Sequence, residues 1–401
     1  MSIYKRLPVP APLKNFVLSG LKSLRWTRGA WREALSDQFH GLGDDCGPQA
    51  AIDAGLLWLG VAQDNTASGD GGIARHYSLL TGWAASYPET TGYAIPTLLL
   101  HGSLRADAGL LDRARRALDW LLSIQMANGA FQGSTIGVTP VVAVTFDTGQ
   151  ILMGLAAGAR TFGEPYTTSM GRAADWLTQT QSPDGAWRTP NPYVDTPEGT
   201  VRTFETHVAW GLLEASRVNP DTPWAEAGLK NIRWALTHQK PNGWFANCCL
   251  DYPEEPLTHT LAYALRGVIE GYRLVRDPAL LEASLRTASG LAKCIDANGF
   301  LPGRLDSEWR PRSKWACLTG TAQTAICLML LHQETQDSAL RAAALRASRY
   351  VRRTLSLDGA PETRGGVKGS FPVSGKYGHF QYLNWACKFM IDANALELGL
   401  Q

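Results

Sequence analysis

A chain of 401 residues, 45% hydrophobic and 18% charged, has the make-up of a soluble globular protein, large enough for one big domain or two to three ordinary ones. A net charge of +2 argues against a nucleic-acid partner, so any anion preference must come from local patches. The seven cysteines (Cys46, Cys248, Cys249, Cys294, Cys317, Cys327 and Cys387) are odd in number and scattered through apolar contexts, which reads as reduced thiols in a cytosolic protein.

In chain order, residues 1–45 read as an N-terminal helical extension. Within it "LKNFVLSGLKSLRW" has the pattern of a basic amphipathic helix, packed on the main body or, alternatively, lying on a membrane surface. It contains no uninterrupted apolar run of signal-peptide length, and no later segment approaches the roughly 18 apolar residues of a membrane span.

From residue 46 the chain repeats. "LWLGVAQDNTASGDGG" (57–72) is a degenerate copy of a signature that becomes explicit in "DWLLSIQMANGAF" (119–131), "DWLTQTQSPDGAW" (175–187) and "RWALTHQKPNGWF" (233–245). Each ends an amphipathic helix with Gln, three residues, Gly, one residue and an aromatic: Gln125 to Phe131, Gln181 to Trp187, Gln239 to Phe245. Fainter copies are "GLAKCIDANGF" (290–300) and "YVRRTLSLDGA" (350–360). The turn glycines Gly129, Gly185, Gly243, Gly299 and Gly359 are 56, 58, 56 and 60 residues apart, and most follow Asn or Asp, the chemistry of a helix end that needs positive φ.

After each turn come a long irregular stretch and a second helix: "TTGYAIPTLLLHG", "TGQILMGLAAG", "THVAWGLLEAS", "THTLAYALRGVIEGY", "GTAQTAICLMLLHQ" and "LNWACKFMIDANALE". These are apolar on nearly every face, whereas first helices such as "LLDRARRALDWLLSIQ" carry a polar stripe. Six hairpins with polar outer and apolar inner helices close into a ring. The expected fold is all-α, an (α/α)6 toroid occupying residues 46–401 as one catalytic domain.

The Gln-x-x-x-Gly-x-aromatic turns resemble those of terpenoid-cyclase and protein-prenyltransferase toroids. The six-hairpin plan, over about residues 46–398, is similar to that of six-hairpin glycosidases, toroidal polysaccharide lyases and uronate epimerases. "YPETTGYAIPTLL" and "FDTGQILMGL" also resemble toroid proteins encoded with bacterial exopolysaccharide genes. Such resemblance specifies architecture; one fold hosts many reactions.

In such a ring the long loops gather at one end, around a funnel floored by the first turns of the inner helices. Aligning these helices on their apolar runs puts Glu89, Asp147, Glu205, Thr258, Thr319 and Asn384 at equivalent places. Three neighbouring acids then form an arc suited to acid and base catalysis. Capping is the competing explanation, since Asp147 with Gln150 fits a capping box and Glu205 opens a helix. His207 and His259 lie in first turns beside them and are further acid, base or donor candidates. Asp251 and Tyr252 sit on the loop above. Cys248, Cys249, Asp251 and His259 have zinc-binding side chains, but adjacent cysteines fit poorly around one ion, so no metal or other cofactor is expected.

The rim is rich in cations and aromatics: Arg75, His76, Tyr77, Trp83 and Tyr87 in loop one; Arg304, Trp309, Arg310, Arg312, Lys314 and Trp315 in loop five; Arg364, Lys368, Lys376, Tyr377 and His379 in loop six. Aromatic faces stack on sugar rings and guanidinium forks hold carboxylates. A uronate-containing glycan is the expected substrate and a glycoside hydrolase the simplest activity, with Glu89, Asp147 and Glu205 as acid and base. The alternatives are a polysaccharide lyase or uronate C5-epimerase using a histidine or tyrosine base, a terpenoid cyclase-like enzyme, and a non-catalytic glycan-binding protein. Against the cyclase, "GLGDDCG" offers only Asp44 and Asp45 in place of an Asp-x-Asp-Asp motif. Sugar identity and oligomeric state are left open.

Overall fold

The computed structural model describes residues 26–188 and 200–400, so all but Trp26 of the basic segment "LKNFVLSGLKSLRW" lies outside the described residues. A short helix, α1 (Arg28–Phe39), precedes six hairpins. Their outer helices are α2 (Pro48–Asp64), α4 (Ala108–Ile124), α6 (Tyr166–Thr180), α8 (Trp224–Leu236), α10 (Pro278–Lys293) and α12 (Ser338–Arg352). Their inner helices are α3 (Pro88–Arg105), α5 (Thr145–Phe162), α7 (Thr206–Val218), α9 (Thr258–Val275), α11 (Leu318–Thr335) and α13 (Asn384–Glu397). Each inner helix packs on the next, and α13 packs back on α2 and α3, so the ring is closed.

The repeat signature has a mechanical meaning. Each glutamine of the repeat staples its turn to the next outer helix: Gln125 Nε2 donates to the carbonyls of Gly129 (2.8 Å) and Ser169 (2.9 Å), and Gln181 Nε2 to those of Gly185 (3.1 Å) and Ala227 (2.9 Å). Gln239 Nε2 donates to Ala283 O and Thr287 Oγ1 of the next outer helix, and Thr287 Oγ1 donates in turn to Gly243 O. The turn glycine must come close to that helix at positive φ: at Gly129 (φ 91°) an added Cβ would stand 2.4 Å from Arg172 O. The aromatic is the buried plug, with Phe131, Trp187 and Phe245 all in the core between the two rings.

Burial separates the rings as the residue pattern demands. Leu318 to Leu331 of α11 are all buried, whereas outer helices bury one stripe. Inner helices touch backbone to backbone where glycines allow it. A Cβ at Gly267 of α9 would lie 2.1 Å from Thr206 O of α7, so Gly267→Ala should lower stability by about 1–3 kcal/mol, measurable by urea unfolding.

The helix starts differ in a way that bears on function. Outer helices α4, α10 and α12 are capped by Asp107, Asp277 and Asp337. No inner helix has a side-chain cap at its N-cap residue, and six positive dipole ends converge on one end of the ring. There the loops from outer to inner helices form the rim. A small antiparallel sheet joins β1 (His76–Ser78) of loop one to β2 (Gly82–Trp83) and to β5 (Gln381–Leu383) of loop six; β3 (Ala316–Cys317) pairs with β4 (Ser370–Phe371). Helix α1 lies against the same rim, its Glu33 and Asp37 both 2.6 Å or less from Lys368 Nζ of loop six.

Candidate active site

The rim encloses a cavity of about 790 Å³, within the range of small-molecule sites. Of the residues singled out in sequence, Arg75, Tyr87, Glu89, Asp147, Asp251, Tyr252, His259, Arg304, Lys376 and Tyr377 line it.

Glu89 and Asp147 come from neighbouring inner helices, and neither is a cap. Asp147 lies in the first turn of α5, whose N-cap is Val144, and its Oδ1 accepts from Ser134 N of the loop above at 3.3 Å. Gln150 completes no capping box; its Oε1 is 2.6 Å from His207 Nδ1. Thr91 and Thr148 accept the N–H of Ile73 and Phe131, each at 3.0 Å, which fixes the register of the first two repeats. Thr90 therefore matches Asp147, and Glu89 matches Phe146. The acids of α3 and α5 do not hold one repeat position, as the apolar alignment had them; Glu89 enters the cavity one residue earlier.

Burial pushes Glu89 up to about 7, partly offset by a hydrogen bond from Tyr87 and the positive charge of Arg75. Burial and then the charge of Glu89 hold Asp147 well above the usual carboxylate range, although Ser134 N favours its anion. Both carboxyls are thus biased toward the protonated form, Asp147 the more so because the charge of Glu89 stands beside it.

Glu205 is buried but does not line the cavity; its Oε2 has no partner and burial raises it to about 8 against the opposing charge of Arg202. The arc of three acids thus reduces to two at the cavity; Glu205 lies in a 3-10 turn (Thr203–Glu205) before α7, whereas Asp147 lies within the first turn of α5. His207 also lies off the cavity, 4.3 Å from the Tyr263 ring between centroids and held neutral by burial. His259 does line it. Its Nδ1 is 2.6 Å from Gln323 Oε1, leaving Nε2 as an acceptor, and burial lowers it to about 4.

The loop-five cations do not form an anion-binding rim. Arg304 is committed to Asp251, at 2.7 and 3.2 Å, and to Glu255 O, with its guanidinium 4.7 Å from the Tyr252 ring. Arg310 and Lys314 lie off the cavity. Trp309 packs over Gly290 and against Trp244, and Trp315 over Gly303 and Gly375. Elsewhere, His76, Tyr77 and Trp83 are structural members of the rim sheet, His379 Nδ1 binds the carbonyls of Ser374 and Gly375, and Asn384 Nδ2 donates to Ala74 O at 3.0 Å. Cys248, Asp251 and His259 are engaged with Thr260 O, Arg304 and Gln323, and the described residues contain no group of three or more metal-ligating side chains.

Arg75 and Lys376 line the cavity without an ion pair of salt-bridge length among the described residues. The Arg75 guanidinium sits between the rings of Tyr87 (5.3 Å) and Trp385 (5.8 Å). Sequence reasoning missed Tyr93, Phe146, Arg202, Phe204, Tyr263 and Trp385, all on the wall. Being apolar or aromatic residues in apolar runs, most of them carry the same pattern as core positions.

Comparison with known proteins agrees with this architecture. Residues 111–266 match the squalene-hopene cyclase C-terminal domain. The structure superposes on an unsaturated glucuronyl hydrolase specific for heparin with a TM-score of 0.70 at 16% identity, covering 88% of this chain and 97% of that one. The glycosaminoglycan-degrading unsaturated glucuronyl hydrolase of Bacillus sp. GL1 gives 0.69 at 16% identity, again over 88% and 97%. Cellobiose 2-epimerase of Bacillus thermoamylovorans gives 0.71 at 11% identity over 88% and 98%. The chain is an (α/α)6 toroid. No curated protein matches the toroid by sequence. No helix among its described residues is long and apolar enough to cross a membrane.

Proposed function

We propose that the toroid is a glycoside hydrolase acting on a short oligosaccharide with a terminal uronate, Asp147 serving as general acid and Glu89 as general base. The observation that carries this reading is the pair of buried carboxyls, from neighbouring inner helices, that both line a cavity of sugar size, with burial favouring the protonated form of each. Asp147 gives its proton to the glycosidic oxygen as the bond to the anomeric carbon breaks. Glu89 takes a proton from the attacking water. Arg75 and Lys376 supply positive charge for the uronate carboxylate, and Tyr93, Tyr263 and Trp385 supply faces and edges for the sugar ring. The charged wall favours this ligand over a hydrocarbon, although the family model is that of a hydrocarbon cyclase. The likeness to glucuronyl hydrolases supports the uronate.

The test is incubation with disaccharides carrying either an unsaturated or a saturated non-reducing-end uronate. Release of the neighbouring sugar with appearance of a new reducing end is expected. No cleavage of either class overturns the reading. Arg75→Met should raise KM about 10- to 100-fold with a smaller change in kcat, as loss of a charge-assisted contact does.

A second reading is an epimerase, favoured by His259, a neutral imidazole on the cavity wall with Nε2 unprotonated. Solvent deuterium entering the sugar without cleavage would select it.

A further inference from the structure

Helix α1 has two faces of different character. Its acids, Glu33 and Asp37, both turn inward to Lys368, and Asp37 Oδ2 also accepts from Val373 N at 2.6 Å. Trp31, Leu35 and Phe39, spaced four residues apart on the other face, are 41, 44 and 76% exposed. Arg28 and Arg32 are exposed beside them. The outward face therefore offers an apolar stripe and positive charge, with no acid to oppose it. The sequence extends this asymmetry: residues 1–32 contain seven Lys and Arg and no Asp or Glu, against +2 for the whole chain, so the remaining residues sum to −5.

We propose that α1 docks the toroid on an anionic lipid surface. Trp31, Leu35 and Phe39 enter the headgroup boundary, and Arg28 and Arg32 meet the lipid phosphates. A nucleic acid would use the cations alone, whereas here the face carries an apolar stripe of which Phe39 is the most exposed member. Docking also has an orientation. The inner face of α1 is bonded to the segment 368–373 of loop six, and Thr27 Oγ1 donates to Leu79 O of loop one. These are the loops that carry Lys376, Tyr377 and Arg75 into the cavity, so the lipid surface lies beside the cavity mouth. Neither the docking nor its test depends on the proposed hydrolysis.

The test is co-sedimentation of the full chain with vesicles of phosphatidylcholine alone and of equimolar phosphatidylcholine and phosphatidylglycerol. Binding to the anionic vesicles only is expected, weakened at about 1 M salt, where the Debye length is about 3 Å. The combined W31Q/L35Q/F39Q variant should lower the partition coefficient about tenfold or more while retaining the thermal unfolding midpoint. A conservative variant guards against misfolding: brominated lipid should quench tryptophan fluorescence in the wild type, and the quenched component should vanish in Trp31→Phe. Equal binding to neutral vesicles, equal binding by the triple variant, or binding of duplex DNA in preference to anionic vesicles would each overturn the proposal.

Discussion

Asp147→Asn should lower kcat by about 10³-fold or more on any substrate the toroid cleaves, with KM changed little. The amide keeps the shape of the side chain and can still accept from Ser134 N, so the fold is preserved while the transferable proton is removed. Glu89→Gln should cost about 10²- to 10⁴-fold, and the two variants should differ in their pH profiles. In the proposed mechanism the active form has Glu89 ionised and Asp147 protonated. In the wild type the rate therefore rises as pH passes about 7 and falls at the higher pH where Asp147 loses its proton. In Glu89→Gln the residual rate should lose the rising limb, and Asp147 should titrate lower, because the negative charge that raised it is gone. Steady-state rates from pH 5 to 10 check all three statements. Unchanged turnover in either variant removes the pair as the catalytic groups.

Glu205→Gln should stabilise the protein increasingly as pH rises. The carboxyl is buried, its Oε2 has no partner, and it keeps its proton to about 8, whereas in the unfolded chain it ionises from its ordinary value of 4.5. Between these values unfolding releases a proton, so the wild type loses stability with rising pH; above about 8 both states are ionised and the slope ends. Glutamine removes this term. The difference in unfolding free energy between variant and wild type should grow in the variant's favour by roughly 4 kcal/mol from pH 4 to pH 9, read from urea unfolding at each pH. A pH-independent difference would mean that Glu205 is already ionised in the fold, held by Arg202.

The two acids illustrate what a repeat can conceal. "TFDT" and "TFET" look equivalent, and Asp147 and Glu205 do stand at the same repeat position, yet only Asp147 reaches the cavity. Glu89 belongs to a different position and reaches it nonetheless. The difference lies in the local start of each helix. Pro88 opens α3 directly after Tyr87, while a 3-10 turn that contains Glu205 precedes α7. Such one-residue changes in helix entry rotate a side chain by about 100° and are invisible to alignment on the apolar run. The loop-five cations show the same limit. Arg304, Arg310, Arg312 and Lys314 look alike in sequence, but Arg304 is bound by Asp251 and Arg312 by Asp306, while Arg310 and Lys314 stay off the cavity.

The sequence by itself determined the architecture. Helix periodicity and turn glycines are local signals repeated five to six times and the stapling glutamine three times, and polar outer helices beside wholly apolar inner ones bury their surfaces in a closed double ring. The tertiary structure alone decided which polar groups share the funnel and in what charge state. Both depend on the close approach of loops and helix ends more than fifty residues apart, where burial raises an acid's pKa, a neighbouring carboxylate raises it further, and an ion pair withdraws a cation from use.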